Sequence, residues 1–202
     1  MSEAGRVIAG SARGTRLVAP DEGTRPMGDR VKQTLFAIIE PGLPGAAVLD
    51  LFAGSGGGGI EALSRGAARA VFVERDVTAV KCIGENLTKA HVAQRGHVVK
   101  GDAVGYVIDK AAADGPFDFV LVDPPYAETG LMEVALKRLG ADQLGREAVV
   151  IAKHFWRTPP PESIGLLASF RSKRFGETAL TFYRRTDAIS GDVDATEVEE
   201  PR

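Results

Sequence analysis

Apolar residues along the middle of the chain form short runs, and each run is followed by a segment whose apolar positions recur at helical spacing. Short apolar runs bounded by turn residues are typical of strands buried on both faces of a sheet. The runs predict strands at residues 47–52, 70–73, 97–100, 119–122 and 148–152. The intervening segments predict helices that end near residue 64 and that span residues 77–90, 103–113 and 130–139. This alternation indicates a parallel sheet covered by helices on both faces.

The N-terminal part of the chain departs from this alternation. Residues 5–19 alternate loosely between polar and apolar positions, with Gly10 and Gly14 as turn points, and this pattern predicts a short hairpin. Apolar residues then recur at helical spacing over residues 30–40, for which Asp29 is the candidate N-cap. We therefore expect a hairpin and a helix before the first strand of the main sheet.

The C-terminal part has two strand-like segments with no helix between them. They cover residues 166–174 and 178–184, and the intervening Phe175-Gly176-Glu177 is typical of a hairpin turn. The complete prediction is an α/β fold with a mostly parallel seven-stranded sheet that finishes in an antiparallel hairpin. A small N-terminal β-hairpin extends it.

The distribution of charge adds a candidate surface to this picture. The net charge of −2 conceals an acidic segment at residues 186–202, with six acids and one base, which we interpret as a disordered tail. Residues 5–19 carry three arginines and no acid, and residues 153–185 carry seven bases and two acids. Basic segments at both ends of one small domain favour a surface that binds a polyanion.

Several classes of protein are disfavoured by what the sequence lacks. The single cysteine, Cys82, excludes an internal disulfide and a cysteine-based zinc site, and we expect no bound metal. The first residues contain no apolar signal core, and no run approaches about 18 apolar residues, so we expect a soluble cytoplasmic protein with no membrane contact. The three histidines, His91, His97 and His154, form no pattern with serine or carboxylate residues that would indicate a hydrolase.

A glycine-rich turn follows the first strand of the alternating region. Gly54-x-Gly56-x-x-Gly59 lets the backbone turn tightly and approach a ligand, and the next helix presents free N–H groups. Glu74 stands at the end of the second strand, where a carboxylate can accept hydrogen bonds from both hydroxyls of a ribose. The turn therefore predicts a nucleotide site, but the glycine spacing by itself is also compatible with a dinucleotide.

Two further acids bear on which nucleotide binds. Asp50, four residues before Gly54, would repel a pyrophosphate and would suit a sulfonium or ammonium group. Asp102 follows the third strand, where its carboxylate can accept a hydrogen bond from an adenine amino group. Acids at three successive strand ends, where ligands of such sheets bind, favour S-adenosylmethionine over NAD.

The fourth strand ends in Asp123-Pro124-Pro125-Tyr126, because prolines cannot extend a central strand. The Asp123 carboxylate and the Pro124 carbonyl can each accept an N–H from an exocyclic amino group and so aim its lone pair at a methyl donor. Tyr126 offers a flat surface for an unstacked base. These three residues are the predicted catalytic groups for methylation of an amino group on a nucleic-acid base.

With these motifs the chain resembles the bacterial 16S ribosomal RNA guanine-N2 methyltransferase family, within the class I S-adenosylmethionine-dependent, Rossmann-like fold. The resemblance covers about residues 5–185. It rests on the segments RVIAG at 6–10, TRP at 24–26, DRV at 29–31, DLFAGSG at 50–56, EALSRGA at 61–67 and DPPY at 123–126, and on FGET at 175–178 where relatives usually carry YGDT.

The resemblance implies methyl transfer from S-adenosylmethionine to the N2 amino group of a guanine in 16S ribosomal RNA, within an assembled or partly assembled small subunit. We expect a monomer with an RNA-binding extension at residues 1–40, a methyltransferase domain at 41–185 and a tail at 186–202. The expected cofactor-binding residues are Asp50, Phe52, Gly54, Gly56, Glu74, Asp102 and Ala103. The expected RNA-binding residues are Arg6, Arg13, Arg16, Arg25 and Arg30.

Two segments depart from the family pattern. Gly57-Gly58 replaces an Ala-Leu pair, which should loosen the start of the first helix of the domain, and KHFW at residues 153–156 replaces a run similar to glutamate-histidine-serine. Three other functions stay open on the sequence. An exocyclic-adenine DNA methyltransferase can use the same tetrapeptide. An NAD-dependent oxidoreductase would account for the glycine-rich turn but would give the tetrapeptide no role. A non-catalytic RNA-binding assembly factor would account for the basic segments but not for the cofactor acids.

Overall fold

The structure is a computed structural model that describes residues 3–20, 27–125, 128 and 130–189 of the 202-residue chain. Predictions that concern Arg25, Tyr126 or residues 190–202 lie outside the described residues. Within the described ranges, no helix has the length and apolar character needed to cross a bilayer.

The N-terminal hairpin and helix are present as predicted. Strands β1 (Glu3–Arg6) and β2 (Arg16–Val18) pair antiparallel, and helix α1 spans Asp29–Ile39. The predicted N-cap is wrong by one residue, because Gly28 occupies the N-cap and Asp29 is the first helical residue. The Asp29 carboxylate instead accepts a hydrogen bond from the side chain of Arg6 at 3.2 Å.

The alternating region forms the predicted succession of strands and helices. Its elements in chain order are β3 (Ala47–Leu51), α2 (Gly57–Ser64), β4 (Arg69–Glu74), α3 (Val77–Lys89), β5 (Gly96–Lys100), α4 (Ala103–Asp109), α5 (Ala111–Asp114), β6 (Phe117–Val122), α6 (Leu131–Arg138) and β7 (Leu144–Phe155). The single helix predicted over 103–113 is divided at Lys110, which stands between α4 and α5. The last strand is far longer than predicted and spans 12 residues.

The C-terminal elements are β8 (Ser163–Ile164), β9 (Leu167–Phe175), β10 (Thr178–Arg185) and α7 (Thr186–Ile189). The main sheet has the order β5-β4-β3-β6-β7-β10-β9-β8 in the described part of the chain. Adjacent strands from β5 to β7 are parallel, and those from β7 to β8 are antiparallel.

Two details of the predicted C-terminal part need correction. The predicted seven strands omit β8, a two-residue edge strand that is too short to leave a sequence pattern. Helix α7 occupies the first four residues of the segment interpreted as a disordered tail. The interpretation as a tail therefore remains a prediction for residues 190–202 only.

The sheet separates two hydrophobic cores. One core packs α1, α2 and α3 against the sheet and includes Phe36, Phe72 and Phe182, and the hairpin residue Leu17 is buried in it too. The other core packs α4, α5 and α6 on the opposite face, around Phe117. Because the hairpin and the sheet share one core, the N-terminal extension is held rigidly beside the main sheet.

Buried polar contacts fix the hairpin further. The carboxylate of Glu61, fully buried in α2, accepts hydrogen bonds from the backbone N–H groups of Ile8 and Ala9 at 2.8 and 3.0 Å. The Asn86 side chain in α3 accepts the Val18 N–H at 2.9 Å and donates to the Val18 carbonyl. These bonds satisfy groups that would otherwise be buried without partners.

Candidate active site

The predicted cofactor acids and the predicted catalytic acid meet at one edge of the sheet. Strands β3, β4, β5 and β6 are mutually parallel along the order of the sheet, so their carboxyl ends lie together. The strand order reverses next to β3, and ligands of open α/β sheets bind in the crevice at such a reversal. The four acids at this edge are Asp50, Glu74, Asp102 and Asp123.

The turn after β3 has the backbone conformation that its glycines predict. Gly54 and Gly56 adopt φ values of 55° and 77°, in the left-handed region that favours glycine. Phe52 also has a positive φ of 60°, which is uncommon for a residue with a side chain. Such conformations are concentrated at ligand sites, where the surrounding structure maintains them.

Asp50 lies beneath this turn and is 5% exposed. Its Oδ2 accepts the Gly59 N–H at 2.8 Å, so the carboxylate also anchors the first turn of α2. Burial raises the pKa of Asp50 to about 7, the Gly59 bond opposes that rise, and the nearby carboxylates of Asp123 and Glu74 add to it. A cationic ligand beside Asp50 would relieve this repulsion and favour the ionised form.

Glu74 and Asp102 are both bonded to backbone N–H groups. Glu74 accepts from Gly54 at 2.8 Å through Oε2 and from Asp76 at 2.9 Å through Oε1. Asp102 caps α4 through a 2.8 Å bond from the Gly105 N–H to Oδ1. Each carboxylate oxygen has a second lone pair, so these bonds leave acceptor capacity for a ligand.

These residues fit the S-adenosylmethionine expected from the sequence. The site combines a buried carboxylate, Asp50, that a cation would stabilise with two less buried acceptors, Glu74 and Asp102, for hydroxyl and amino groups. Buried Ala103 begins the helix that Asp102 caps. Among the described residues, no group of three or more His, Cys, Asp or Glu side chains is arranged to hold a metal ion.

Asp123 has a partner that the sequence reasoning missed. Both of its carboxylate oxygens lie 2.8 Å from Nζ of Lys153, which extends from the neighbouring strand β7. Burial raises the pKa of the Asp123 carboxyl, and the charge and hydrogen bonds of Lys153 act in the opposite direction. Lys153 therefore favours the carboxylate form at a position where burial alone would favour the neutral acid.

A cleft lies beside this ion pair. It has a volume of about 230 Å³, and its lining includes Pro124, Pro125, Met132, His154 and Thr158. His154 is buried, and its ring nitrogens contact the Phe155 carbonyl and the Thr181 hydroxyl, each at 2.9 Å. Burial lowers the pKa of His154 and so favours the neutral ring, and the two contacts hold the ring in one orientation.

Glu128 is bonded to the cofactor side of the edge. Glu128 forms an ion pair with Arg75, the residue that follows Glu74 at the end of β4. The Glu128 N–H also donates to the Pro125 carbonyl at 3.0 Å. Tyr126, the third predicted catalytic residue, stands between Pro125 and Glu128 in the sequence and lies outside the described residues.

The predicted RNA-binding arginines differ in their surroundings. The Arg6 guanidinium lies 3.1 Å from the Asp29 carboxylate, and Arg16 lies 3.8 Å from the Glu3 carboxylate. Arg13 and Arg30 are exposed. Arg25 lies outside the described residues. RNA binding by these five residues therefore stays a prediction. Two of them, Arg6 and Arg16, already have acidic neighbours.

Comparison with known proteins agrees with this architecture. The family model described as "Conserved hypothetical protein 95" matches residues 5–184. The Bacillus subtilis (strain 168) protein named "Putative rRNA methyltransferase YlbH" is 35% identical over 181 residues, which cover 89% of this chain and 98% of that protein. The Escherichia coli (strain K12) protein named "Ribosomal RNA small subunit methyltransferase D" is 35% identical over 191 residues, which cover 94% of each chain.

A solved structure resembles the whole chain closely. The Escherichia coli protein described as "Putative methyltransferase yhhF" superposes with a TM-score of 0.77 at 34% identity. The match covers 91% of this chain and 98% of that one.

Proposed function

The chain belongs to the family described as Conserved hypothetical protein 95, and on that premise we propose that it methylates the N2 amino group of a guanine in small-subunit ribosomal RNA. The names of the relatives support ribosomal RNA methylation. The choice of guanine N2 rests on the family resemblance of the sequence. S-adenosylmethionine, when bound, supplies an electrophilic methyl group on a sulfonium.

One observation carries the proposal. Asp123 stands at the carboxyl end of β6, immediately beside β3, and its charge acts on the buried Asp50 of the cofactor site. An acceptor for the target amine therefore lies next to the acid assigned to the cationic end of the cofactor. That proximity is what a direct transfer between two bound groups requires.

The residues of the cofactor site bind the cofactor and orient it. Glu74 and Asp102 accept hydrogen bonds from ribose and adenine groups, while their bonds to Gly54 and Gly105 hold both carboxylates in place. Asp50 becomes ionised as a cation approaches, because the added charge offsets the cost of burial. Gly54 and Gly56 allow the backbone to approach the ligand, and Phe52 and Ala103 complete the proposed set.

The catalytic residues act as acceptors. The Asp123 carboxylate and the Pro124 carbonyl each take an N–H bond from the target amine, which leaves the nitrogen lone pair aimed at the methyl group. Lys153 keeps Asp123 ionised and fixes its orientation through two 2.8 Å contacts. As the amine gains positive charge, its attraction to the Asp123 carboxylate increases, and this difference stabilises the transition state.

The substrate is expected to be an assembled or partly assembled small subunit, with the enzyme acting as a monomer in the cytoplasm. Tyr126 is proposed to stack on the extruded guanine, and Arg6, Arg13, Arg16, Arg25 and Arg30 are proposed to contact RNA phosphates. These assignments rest on the sequence resemblance and on the exposure of Arg13 and Arg30.

The decisive experiment is transfer of a labelled methyl group to unmodified small ribosomal subunits, with the modified nucleotide identified by mass. The expected product is a single N2-methylguanine, and the Asp123→Ala variant provides the inactive control. Label in DNA adenine would instead identify a DNA methyltransferase. Absence of label in every nucleic acid tested, together with NAD binding, would favour an oxidoreductase.

A further inference from the structure

The only tryptophan of the chain, Trp156, follows Phe155, which lines the cleft beside Asp123, and contacts two arginines. Trp156 follows the last residue of β7, and its backbone N–H donates to the Glu177 carbonyl in the turn between β9 and β10. The Arg174 guanidinium carbon lies 3.5 Å from the centre of the Trp156 ring, and that of Arg157 lies 5.0 Å away. We call Trp156, Arg157 and Arg174 the tryptophan–arginine cluster.

The cluster holds its positive charges in fixed positions. The Arg174 Nε donates to the Gly176 carbonyl at 2.9 Å, so ring contact and hydrogen bond together fix the plane of the guanidinium. Arg157 and Arg174 are both exposed. Within the described part of the chain, neither forms an ion pair with a carboxylate. Arg6 and Arg16 in the N-terminal hairpin do have such partners.

The position of the cluster just past the end of β7 connects it to Asp123 of the proposed active site. Lys153 of β7 contacts Asp123, and Trp156 lies three residues further along the same chain direction. At about 3.3 Å per residue, the backbone of Trp156 lies roughly 10 Å beyond that of Lys153, whose side chain contacts the proposed acceptor Asp123. A nucleotide adjacent to an extruded base is within that reach.

The opposite face of the adjoining hairpin carries a second contact between an aromatic ring and an arginine. The exposed Phe170 of β9 contacts Arg184 of β10, with 4.4 Å between the guanidinium carbon and the ring centre. Arg171 and Lys173 of β9 are exposed as well. Arg174, by contrast, lies on the face of the sheet that also carries His154 of the cleft. Aromatic rings beside cations are typical of sites for single-stranded nucleic acid, in which bases stack and phosphates pair with guanidinium groups.

We propose that the tryptophan–arginine cluster is a binding site for the unpaired RNA that flanks the target nucleotide. This proposal rests on the proposed function, because RNA is then the substrate at the adjacent site. Arg157 and Arg174 donate N–H groups to phosphate oxygens, and the stacked Trp156 and Arg174 planes support a neighbouring base. In this way the cluster holds the flanking RNA beside the part of the site that β6 and β7 form.

The test uses the single tryptophan as a reporter in the full-length protein. An unstructured RNA oligonucleotide with a terminal dye is titrated at several salt concentrations. The anisotropy of the dye gives the affinity of every variant, including Trp156→Ala, and the intrinsic fluorescence is recorded for the proteins that retain Trp156. The variants are Arg157→Ala/Arg174→Ala, Arg174→Lys, Trp156→Ala and a control, Arg146→Ala. Arg146 is an exposed arginine near the opposite end of β7, so its substitution removes one charge far from the site.

The expected result is a change in tryptophan fluorescence on binding and a weaker salt dependence in the double variant. Removing two guanidinium groups that neutralise phosphates should reduce the log–log slope by about 1.4, and removing the stacking group in Trp156→Ala should weaken binding roughly tenfold. Arg174→Lys keeps the charge but loses the planar fork, so it should bind more weakly than wild type. Arg146→Ala should match wild type.

Three outcomes of the binding experiment would overturn the inference. One is an RNA titration that leaves the fluorescence unchanged, and another is a double variant whose salt slope equals that of Arg146→Ala. The third is equally tight binding of poly-glutamate, which would indicate a site for acidic polypeptides. If the double variant methylates subunits with an unchanged KM, the inference fails while the proposed function stands. If no variant or wild-type protein methylates RNA but the fluorescence response depends on the cluster, the proposed function fails and the binding site stands.

Discussion

The two halves of the carboxyl edge hold their functional carboxylates in different ways. In the cofactor half, formed by β3, β4 and β5, every predicted acid accepts a backbone N–H from a nearby turn or helix start. The pairs are Asp50 with Gly59, Glu74 with Gly54 and Asp102 with Gly105. In the substrate half, formed by β6, β7, β9 and β10, Asp123 is held by the side chain of Lys153.

This difference separates two kinds of preorganisation. A backbone donor belongs to the turn itself, so a carboxylate in the cofactor half contributes both to the ligand site and to the path of the chain. A side-chain partner such as Lys153 can be exchanged without altering the backbone. Substitutions in the cofactor half should therefore combine binding and stability effects, whereas those in the substrate half should act on turnover with little loss of fold.

Asp123→Ala is expected to have the largest effect. Removal of the acceptor that strengthens as the amine becomes charged should lower the single-turnover rate of methyl transfer by on the order of a hundredfold or more. Cofactor affinity should stay near the wild-type value, because the cofactor half is intact. Asp123→Asn, which keeps one acceptor oxygen, should lose less activity. A wild-type rate in Asp123→Ala would mean that the tetrapeptide is only a structural turn.

Glu74→Ala is the corresponding substitution in the cofactor half. Loss of charge-assisted hydrogen bonds worth about 1.5–3 kcal/mol should weaken binding of S-adenosylmethionine roughly tenfold to a hundredfold in calorimetry. The thermal midpoint should fall as well, because the Gly54 N–H loses its acceptor. Glu74→Gln retains an acceptor and should be intermediate. Tight NAD binding without binding of the sulfonium cofactor would contradict the assignment of the whole half.

Lys153→Met tests the side-chain partner of Asp123. Burial raises the pKa of Asp123 and Lys153 opposes that rise, so removal of the ammonium should raise the pKa further. The charge of Asp123 in turn raises the pKa of the nearby Asp50 carboxyl. Because the carboxylate is the proposed acceptor, the acid limb of the pH–rate profile should move to higher pH. At a pH below this limb, the rate should fall about tenfold for each unit by which the pKa rises.

Lys153→Arg keeps the positive charge and serves as the control for Lys153→Met. Its acid limb should remain near that of the wild-type protein. A profile of Lys153→Met that coincides with the wild-type profile would indicate that Lys153 does not control the ionisation of Asp123.

The triple variant Arg6→Ala/Arg13→Ala/Arg16→Ala asks whether RNA also reaches the cofactor half, against which the hairpin packs. The salt dependence of subunit binding should flatten by about 0.7–0.9 log–log unit for each phosphate that an arginine no longer neutralises. We expect Arg13 to contribute most, because Arg6 and Arg16 are already near carboxylates. Cofactor affinity should not change. An unchanged salt slope would identify these arginines as ordinary solvated residues.

The smallest expected effect concerns two adjacent glycines in α2. A Cβ at Gly57 would make only ordinary contacts, at 3.6 Å or more, so Gly57→Ala should stabilise the protein by about 0.5–1 kcal/mol. A Cβ at Gly58 would lie 2.5 Å from Leu121 Cδ1 and 3.1 Å from Asp50 Oδ2, so Gly58→Ala should destabilise it. Urea denaturation of both variants measures the difference. Equal midpoints would show that α2 can shift to accept either methyl group.

The chain sequence was sufficient for the order of the elements and for the acids at the strand ends. Strand runs and helical spacing are local patterns, and a residue at the end of a parallel strand reaches the same edge as its counterparts in other strands. The positions of Asp50, Glu74, Asp102 and Asp123 at one edge follow from this rule. Positive φ at Gly54 and Gly56 follows equally from local chemistry.

Only the tertiary structure decided which side chains meet across strands. Lys153 is 30 residues from Asp123, and their contact depends on β7 lying beside β6 in a register that pairs Val122 with Ala152. The contact between Trp156 and Arg174 likewise requires β9 to be joined to β7 through β10. Register and strand order arise from the packing of the whole sheet, because each strand's own pattern is compatible with several neighbours. The acids at the edge could therefore be predicted from the sequence, whereas side-chain contacts across strands, such as that of Lys153 with Asp123, could not.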